Sequence, residues 1–206
     1  MTDLVATRRS LHTVAELLLA GPQHAVHGTI RLAVCPGGFA AVRAPYASVV
    51  GTELRVGDRA VDLPGRTVAE VGEAAGVVPL TLAGVYEDGC GLDETHLLQV
   101  DPTAAAEIHA AFARGDAALA AFCPTADRVL WPEHFDLGIT LDEVNYGVSP
   151  GDGFLPEPYA YVGPWHRDGL VGDFWNAPFG AARPLREIPD LAGFYAEGAA
   201  RSGGGA

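Results

Sequence analysis

The chain has 206 residues, about half of them apolar, and a formal charge of −13 from 26 acids against 13 bases. It is long enough for one well-cored domain. Its acidity excludes bulk nucleic-acid binding and attraction to anionic membranes, and leaves neutral small molecules, cationic ligands and metals open. All 13 bases are arginines, which also excludes Schiff-base lysines, pyridoxal phosphate linkages and lysine-dependent phosphate loops.

Residues 10–20 are predicted to form a helix. Leu11, Val14, Leu17 and Leu18 make its apolar stripe, Thr13 and Glu16 have capping-box spacing, and Gly21-Pro22 is the expected stop. The N-terminal apolar run is short and is interrupted by a histidine and Glu16, unlike a signal peptide. No later stretch approaches the roughly 20 apolar residues of a membrane span. Cys35, Cys90 and Cys123 are odd in number and widely spaced, with no CxxC pair. Together these features predict a cytoplasmic protein with reduced thiols. His24 and His27 supply two ligands at most and are read as loop or helix-end residues.

From Thr29 the apolar period becomes two, with Ile30, Leu32 and Val34 on one face of a strand. Pro36-Gly37-Gly38 turns the chain, and Phe39 to Arg43 returns antiparallel. Glu53 to Val56 and Arg59 to Leu63 flank Gly57-Asp58 as a second hairpin, so 29–63 is predicted to be an antiparallel meander. Thr67 and Glu70 form a capping box for a short helix through Ala75, closed by Gly76. Residues 77–86 are expected to be extended, 86–93 a surface turn without a calcium loop's spacing, and 96–100 another strand. Cys90 is read as inert. Asp101-Pro102 starts the clearest helix, which runs through Phe122 and stops at Pro124. Its alanine-rich body suits close packing on a sheet, although Gly115 weakens it by about 1 kcal/mol relative to alanine. His109 is expected at its surface. A final helix spans 190–199. A single domain over 1–200 with a disordered tail at 201–206 is expected.

The stretch 131–180 carries the candidate chemistry. It holds all three tryptophans and three of the six tyrosines, interleaved with short polar and acidic side chains, which is the make-up of a binding cleft. Residues 129–140 read as a strand interrupted by Pro132. Phe135, Leu137 and Ile139 would face the core, leaving His134 and Asp136 on the opposite face as base and orienting carboxylate or as joint metal ligands. SPGDG (149–153) is turn chemistry in which Asp152 accepts backbone N–H groups. If 157–161 is extended, Glu157, Tyr159 and Tyr161 share a face, and a lone carboxylate there argues against a pure core. The candidate catalytic residues are therefore His134, Asp136 and Glu157. The candidate ligand-binding residues are Trp131, Asn145, Tyr146, Tyr159, Tyr161, Trp165, Trp175 and Asn176. His134 and Asp136 are the candidate ligands of a divalent metal, with iron, manganese and zinc all compatible.

The blocks WPEHFD, NYGVSPGD, EPYAYVGPW and FWNAPFG resemble those shared by a group of uncharacterised, mainly actinobacterial proteins. The likeness covers nearly the whole chain, with PGGF at 36–39 as its N-terminal counterpart. It implies a free-standing intracellular domain and carries over no activity and no functional residue. HExxH, GxGxxG and GxxxxGK[ST] strings are absent. Ser10, Ser48, Ser149 and Ser202 sit in cap, loop or tail contexts that do not suit a nucleophile.

Three function classes follow from the same residues. One is an enzyme acting on a small polar or aromatic metabolite by acid–base or divalent-metal chemistry. Another is a non-catalytic small-molecule binder. The third is a homodimer or protein-interaction module, since interfaces are also rich in tyrosine and tryptophan. The first two require a cavity and the third a flat patch. The expected fold is α+β: a mostly antiparallel curved sheet, barrel-like at its extreme, with packed helices. A β-sandwich with peripheral helices is the competing architecture.

Overall fold

The computed structural model describes residues 3–87 and 89–203. Its N-terminal helix outruns the predicted stop. α1 (Leu4–Val14) continues through a π-helical turn (Ala15–Ala20) into α2 (Gly21–His27). Gly21 does not end the helix because its role is close approach: the Leu80 carbonyl lies where a side chain at 21 would sit. The Gly21 N–H reaches back to Glu16 O across the wider π turn. Pro22 then falls in the first turn of α2, where a missing N–H is tolerated. The stop is Gly28, left-handed at φ 66°. All six residues of the π turn are buried, so this helix runs through the core.

The first meander forms as its turn residues dictate. It comprises β1 (Leu32–Cys35), β2 (Gly38–Ala41), β3 (Ala47–Val50), β4 (Glu53–Val56) and β5 (Arg59–Asp62), with Val56 opposite Arg59 across the Gly57-Asp58 turn. α3 (Val68–Ala75) has the full Thr67/Glu70 capping box and a left-handed Gly76 cap. Residues 96–100 are not a strand; they make one isolated bridge, Thr67 to Leu97. α4 (Pro102–Phe122) has its predicted bounds, with Asp101 accepting from Thr103 N and Ala104 N at 2.9 Å each.

The second meander comprises β6 (Val129–Trp131), β7 (Asp136–Leu141), β8 (Val144–Ser149), β9 (Tyr159–Pro164) and β10 (Ala181–Pro184). Residues 129–140 are thus a hairpin and not one interrupted strand: Trp131 pairs with Asp136, and residues 132–135 form the turn. β6 also pairs with β1. This joins the meanders into one open, curled, antiparallel sheet of order β10-β9-β8-β7-β6-β1-β2-β3-β4-β5. A single continuous sheet rules out the sandwich, and the fold is α+β. α5 (Leu191–Arg201) is capped by Asp190 and includes the first residue of the expected tail. Residues 204–206 of that tail lie outside the described residues.

α4 crosses the sheet. A Cβ on Gly115 would stand 2.8 Å from Val148 Cγ2, so this glycine is what lets the helix settle on β8. Leu137, Ile139, Tyr146, Val148 and Val162 are buried on this side of the sheet. His109 is not at the surface: it is 5% exposed, and its Nε2 donates to Gly51 O at 2.9 Å. Burial lowers its pKa below the ordinary 6.5, outweighing the bond to Gly51. A base with a depressed folded pKa contributes stability above its unfolded pKa and loses it as pH falls. Stability is therefore expected to decline as pH drops below about 6.5, and His109→Gln to decline less steeply. Urea unfolding across that range checks this. Among the described residues no helix is long and apolar enough to cross a membrane, and all three cysteines are free.

Candidate functional site

Alternation along β7, β8 and β9 leaves a second face, away from α4, bearing Asp136, Gly138, Asn145, Gly147, Ser149, Tyr159 and Tyr161. In register, Gly138 lies opposite Gly147, and Gly147 opposite Tyr161. The two missing side chains make a bed for the Tyr161 ring, whose Cζ is 2.5 Å from where a Gly147 Cβ would be. The ring lies down across the strands, and its hydroxyl donates to Asp136 Oδ2 on the far side.

Loops and one helix wall this face into a cleft of about 770 Å³, a size that suits a metabolite. α1 contributes Arg8, Arg9 and His12, and the hairpin turn contributes Glu133 and His134. Gly151 and Asp152 come from the loop after β8, and Trp165, Arg167 and Phe179 from the long segment between β9 and β10. The turn is pinned from below. Phe135, left-handed at φ 52° and 1% exposed, packs edge-on against Phe39 and Phe112 at 5.4 and 5.3 Å. The His12 ring stacks on Phe135 at 5.4 Å, and its Nε2 donates to Pro132 O at 2.6 Å. Burial lowers the His12 pKa, against the opposing pull of Glu16.

Two carboxylate–phenol pairs occupy the cleft, and they differ. Asp152 is held by three hydrogen bonds: Oδ1 accepts from Phe154 N and Leu155 N at 2.7 and 3.0 Å, and Oδ2 from the Tyr159 hydroxyl at 2.5 Å. This is the turn role expected of it, extended by a phenol. Asp136 accepts one side-chain hydrogen bond, from Tyr161. Burial raises its pKa above the ordinary aspartate value, outweighing the Tyr161 hydrogen bond and the charge of nearby His134. Tyr161 is pushed well above 10, first by burial and then by Asp136, so the phenol keeps its proton. Asn145 Oδ1 accepts from Thr140 Oγ1 at 2.8 Å and Trp165 Nε1 at 3.2 Å. That orients the Asn145 amide and fixes the indole.

His134, Asp136, Asn145, Tyr159, Tyr161 and Trp165 line the cleft as expected. Five others do not. Tyr146 alternates with Asn145 and so faces the core, against Phe122 and Tyr195. Glu157 lies between Pro156 and Pro158, before β9 begins, and pairs with Arg186. Trp131 packs under the Arg31 guanidinium at 5.7 Å, and Trp175 against Phe174 at 4.8 Å. Asn176 clamps Ala182, exchanging two 2.9 Å hydrogen bonds with its backbone. The joint metal reading lacks further ligands: among the described residues no group of three or more His, Cys, Asp or Glu is disposed to hold an ion.

Sequence reasoning passed over Arg8, Arg9 and His12. A signal existed, since Arg8, His12 and Glu16 recur every four residues beside the apolar stripe. The run from Gly147 to Gly151, GVSPG, also has G-x-S-x-G spacing, but that motif needs a strand–turn–helix context. Here β8 leads into Pro150 and an irregular loop, and Ser149, 4% exposed, accepts from Gly151 N at 3.1 Å. Cys90 borders the cleft with its thiol pushed up to about 12, chiefly by burial, and is no nucleophile.

Fold and site together define an α+β domain with a polar, aromatic-walled cleft on one sheet face. Comparison with family models, curated proteins and solved structures gives no match.

Proposed function

We propose that this protein is a cytoplasmic enzyme acting on a small polar or aromatic molecule by acid–base chemistry in the cleft. The observation that carries this reading is the Asp136–Tyr161 pair. A carboxyl group with an elevated pKa lies beside a phenol that stays protonated, at the wall of a cavity and not in sealed core. Perturbed carboxyls in clefts are candidates for proton transfer. Asp136 takes or gives the proton, Tyr161 donates a hydrogen bond that steadies the ionised form, and His134 stands at the exposed side for exchange with solvent. Asn145 and Trp165 orient the ligand. A cleft in place of a flat patch supports the small-molecule readings over an aromatic protein interface.

The test is product detection by mass spectrometry after incubating native protein, Asp136→Asn and Tyr161→Phe with a mixture of small aromatic and polar metabolites. Turnover by the native protein is expected, falling about a hundredfold or more in Asp136→Asn. Ligand binding without turnover would instead establish the non-catalytic binder. Stability supplies an independent sign. A carboxyl with a raised folded pKa contributes stability below its unfolded value, near 3.8, and loses it as pH rises through the folded value. Asp136→Asn cannot ionise, so it is expected to be more stable than native protein at neutral pH, with the gap closing toward acid.

A further inference from the structure

We propose that the ligand of this cleft carries an oxyanion, a carboxylate or phosphate group, which Arg8 binds on the α1 wall. The inference rests on the cleft being a small-molecule site and adds the chemical class of what enters it. Five of the thirteen arginines, Arg31, Arg55, Arg128, Arg186 and Arg201, meet carboxylates. Arg8 is half-buried on the cleft wall and makes no ion pair among the described residues. A guanidinium offers five N–H donors. Among the described residues the one side-chain hydrogen bond of Arg8 is a 3.5 Å contact from Nη1 to Pro156 O.

The position is built. Gly151 has φ 103°, and a Cβ there would stand 2.6 Å from Arg8 Nη1, so the SPGDG loop leaves room for the guanidinium. The acid nearest in effect, Asp152, faces Arg8 together with Tyr159. However, its oxygens already hold the Tyr159 hydroxyl and two backbone N–H groups. Arg8 is therefore left with unsatisfied, partly desolvated donors at a cavity wall, and an oxyanion with two oxygens to offer is the group that guanidinium geometry fits. Exposed Arg9 and Arg167 also line the cleft, so three arginines stand there beside the acids Glu133, Asp136 and Asp152. Trp165 and Phe179 offer faces for an aromatic or planar remainder.

The test is isothermal titration of the full chain with benzoate, phenyl phosphate and neutral benzamide, repeated on Arg8→Gln and on Arg66→Gln, which lies outside the cleft. Expected is binding of benzoate or phenyl phosphate with benzamide at least tenfold weaker, and a loss of about tenfold to a hundredfold in Arg8→Gln alone. Whichever of the two anions binds more tightly distinguishes carboxylate from phosphate. Benzamide binding as tightly as benzoate, or anion binding unchanged in Arg8→Gln, overturns the oxyanion site while leaving the acid–base reading to the turnover assay. Failure of all three probes to bind overturns it too. Should Arg8→Gln not fold, the benzoate–benzamide comparison on native protein decides.

Discussion

Replacing Gly147 with alanine is expected to dismantle the site while leaving the surrounding sheet recognisable. A Cβ at 147 would press into the Leu137 carbonyl on one side and the Tyr161 hydroxyl on the other, with Tyr161 Cζ at 2.5 Å. The carbonyl belongs to a paired strand and cannot retreat cheaply, so the Tyr161 ring must lift and its bond to Asp136 break. Overpacking of this kind costs about 1–3 kcal/mol. Any turnover or ligand binding that needs the pair is expected to fall with it. Gly138→Ala is the graded control: its Cβ would meet the same hydroxyl at 2.9 Å and Tyr146 O at 3.1 Å, a milder intrusion. Urea unfolding and ligand titration on both variants should place Gly147→Ala well below Gly138→Ala. Equal behaviour would mean that Tyr161 does not rest on this glycine bed.

Phe135→Ala is expected to be the most destabilising single change at the site. The ring is 1% exposed and touches Phe39, Phe112 and His12 at 5.3 to 5.4 Å. Removing such a side chain costs about 3–5 kcal/mol, or roughly 6–20 °C in melting temperature for a chain of this size. Its packing also holds a non-glycine residue at φ 52°, a conformation that is unfavourable unless its surroundings enforce it. Without the ring the turn bearing Glu133 and His134 loses its anchor, so function should fall further than stability alone predicts. Thermal unfolding measures the first effect. Ligand affinity, compared well below the melting temperature, measures the second.

The parts of the fold legible in sequence are those fixed by local chemistry. Gly57-Asp58 set a hairpin register, Thr67 with Glu70 set a helix start, and Asp101-Pro102 set another. Failures came where a distant segment decides the outcome. Gly21-Pro22 reads as a helix stop until Leu80 is known to press against it, and His109 reads as surface until the Gly51 turn covers it. Within the site, strand alternation correctly brought Tyr159 and Tyr161 together. The same rule separates Asn145 from Tyr146, so that only Asn145 faces the cleft while Tyr146 packs on Phe122. Glu157 failed because the prolines beside it keep it out of the strand. The α1 wall is legible only in part: the four-residue recurrence of Arg8, His12 and Glu16 marks a polar stripe, but no local pattern connects it to a hairpin over 100 residues away.

The most direct measurement is the titration of the Asp136 carboxyl carbon by NMR in protein labelled at aspartate, with Asp136→Asn used for assignment. The account predicts a midpoint clearly above the ordinary aspartate value of 3.8, rising further in Tyr161→Phe as the hydrogen bond that favours the carboxylate is lost. A midpoint at or below the ordinary value, unmoved by Tyr161→Phe, would show a solvated carboxylate with no phenol partner and would contradict the acid–base site.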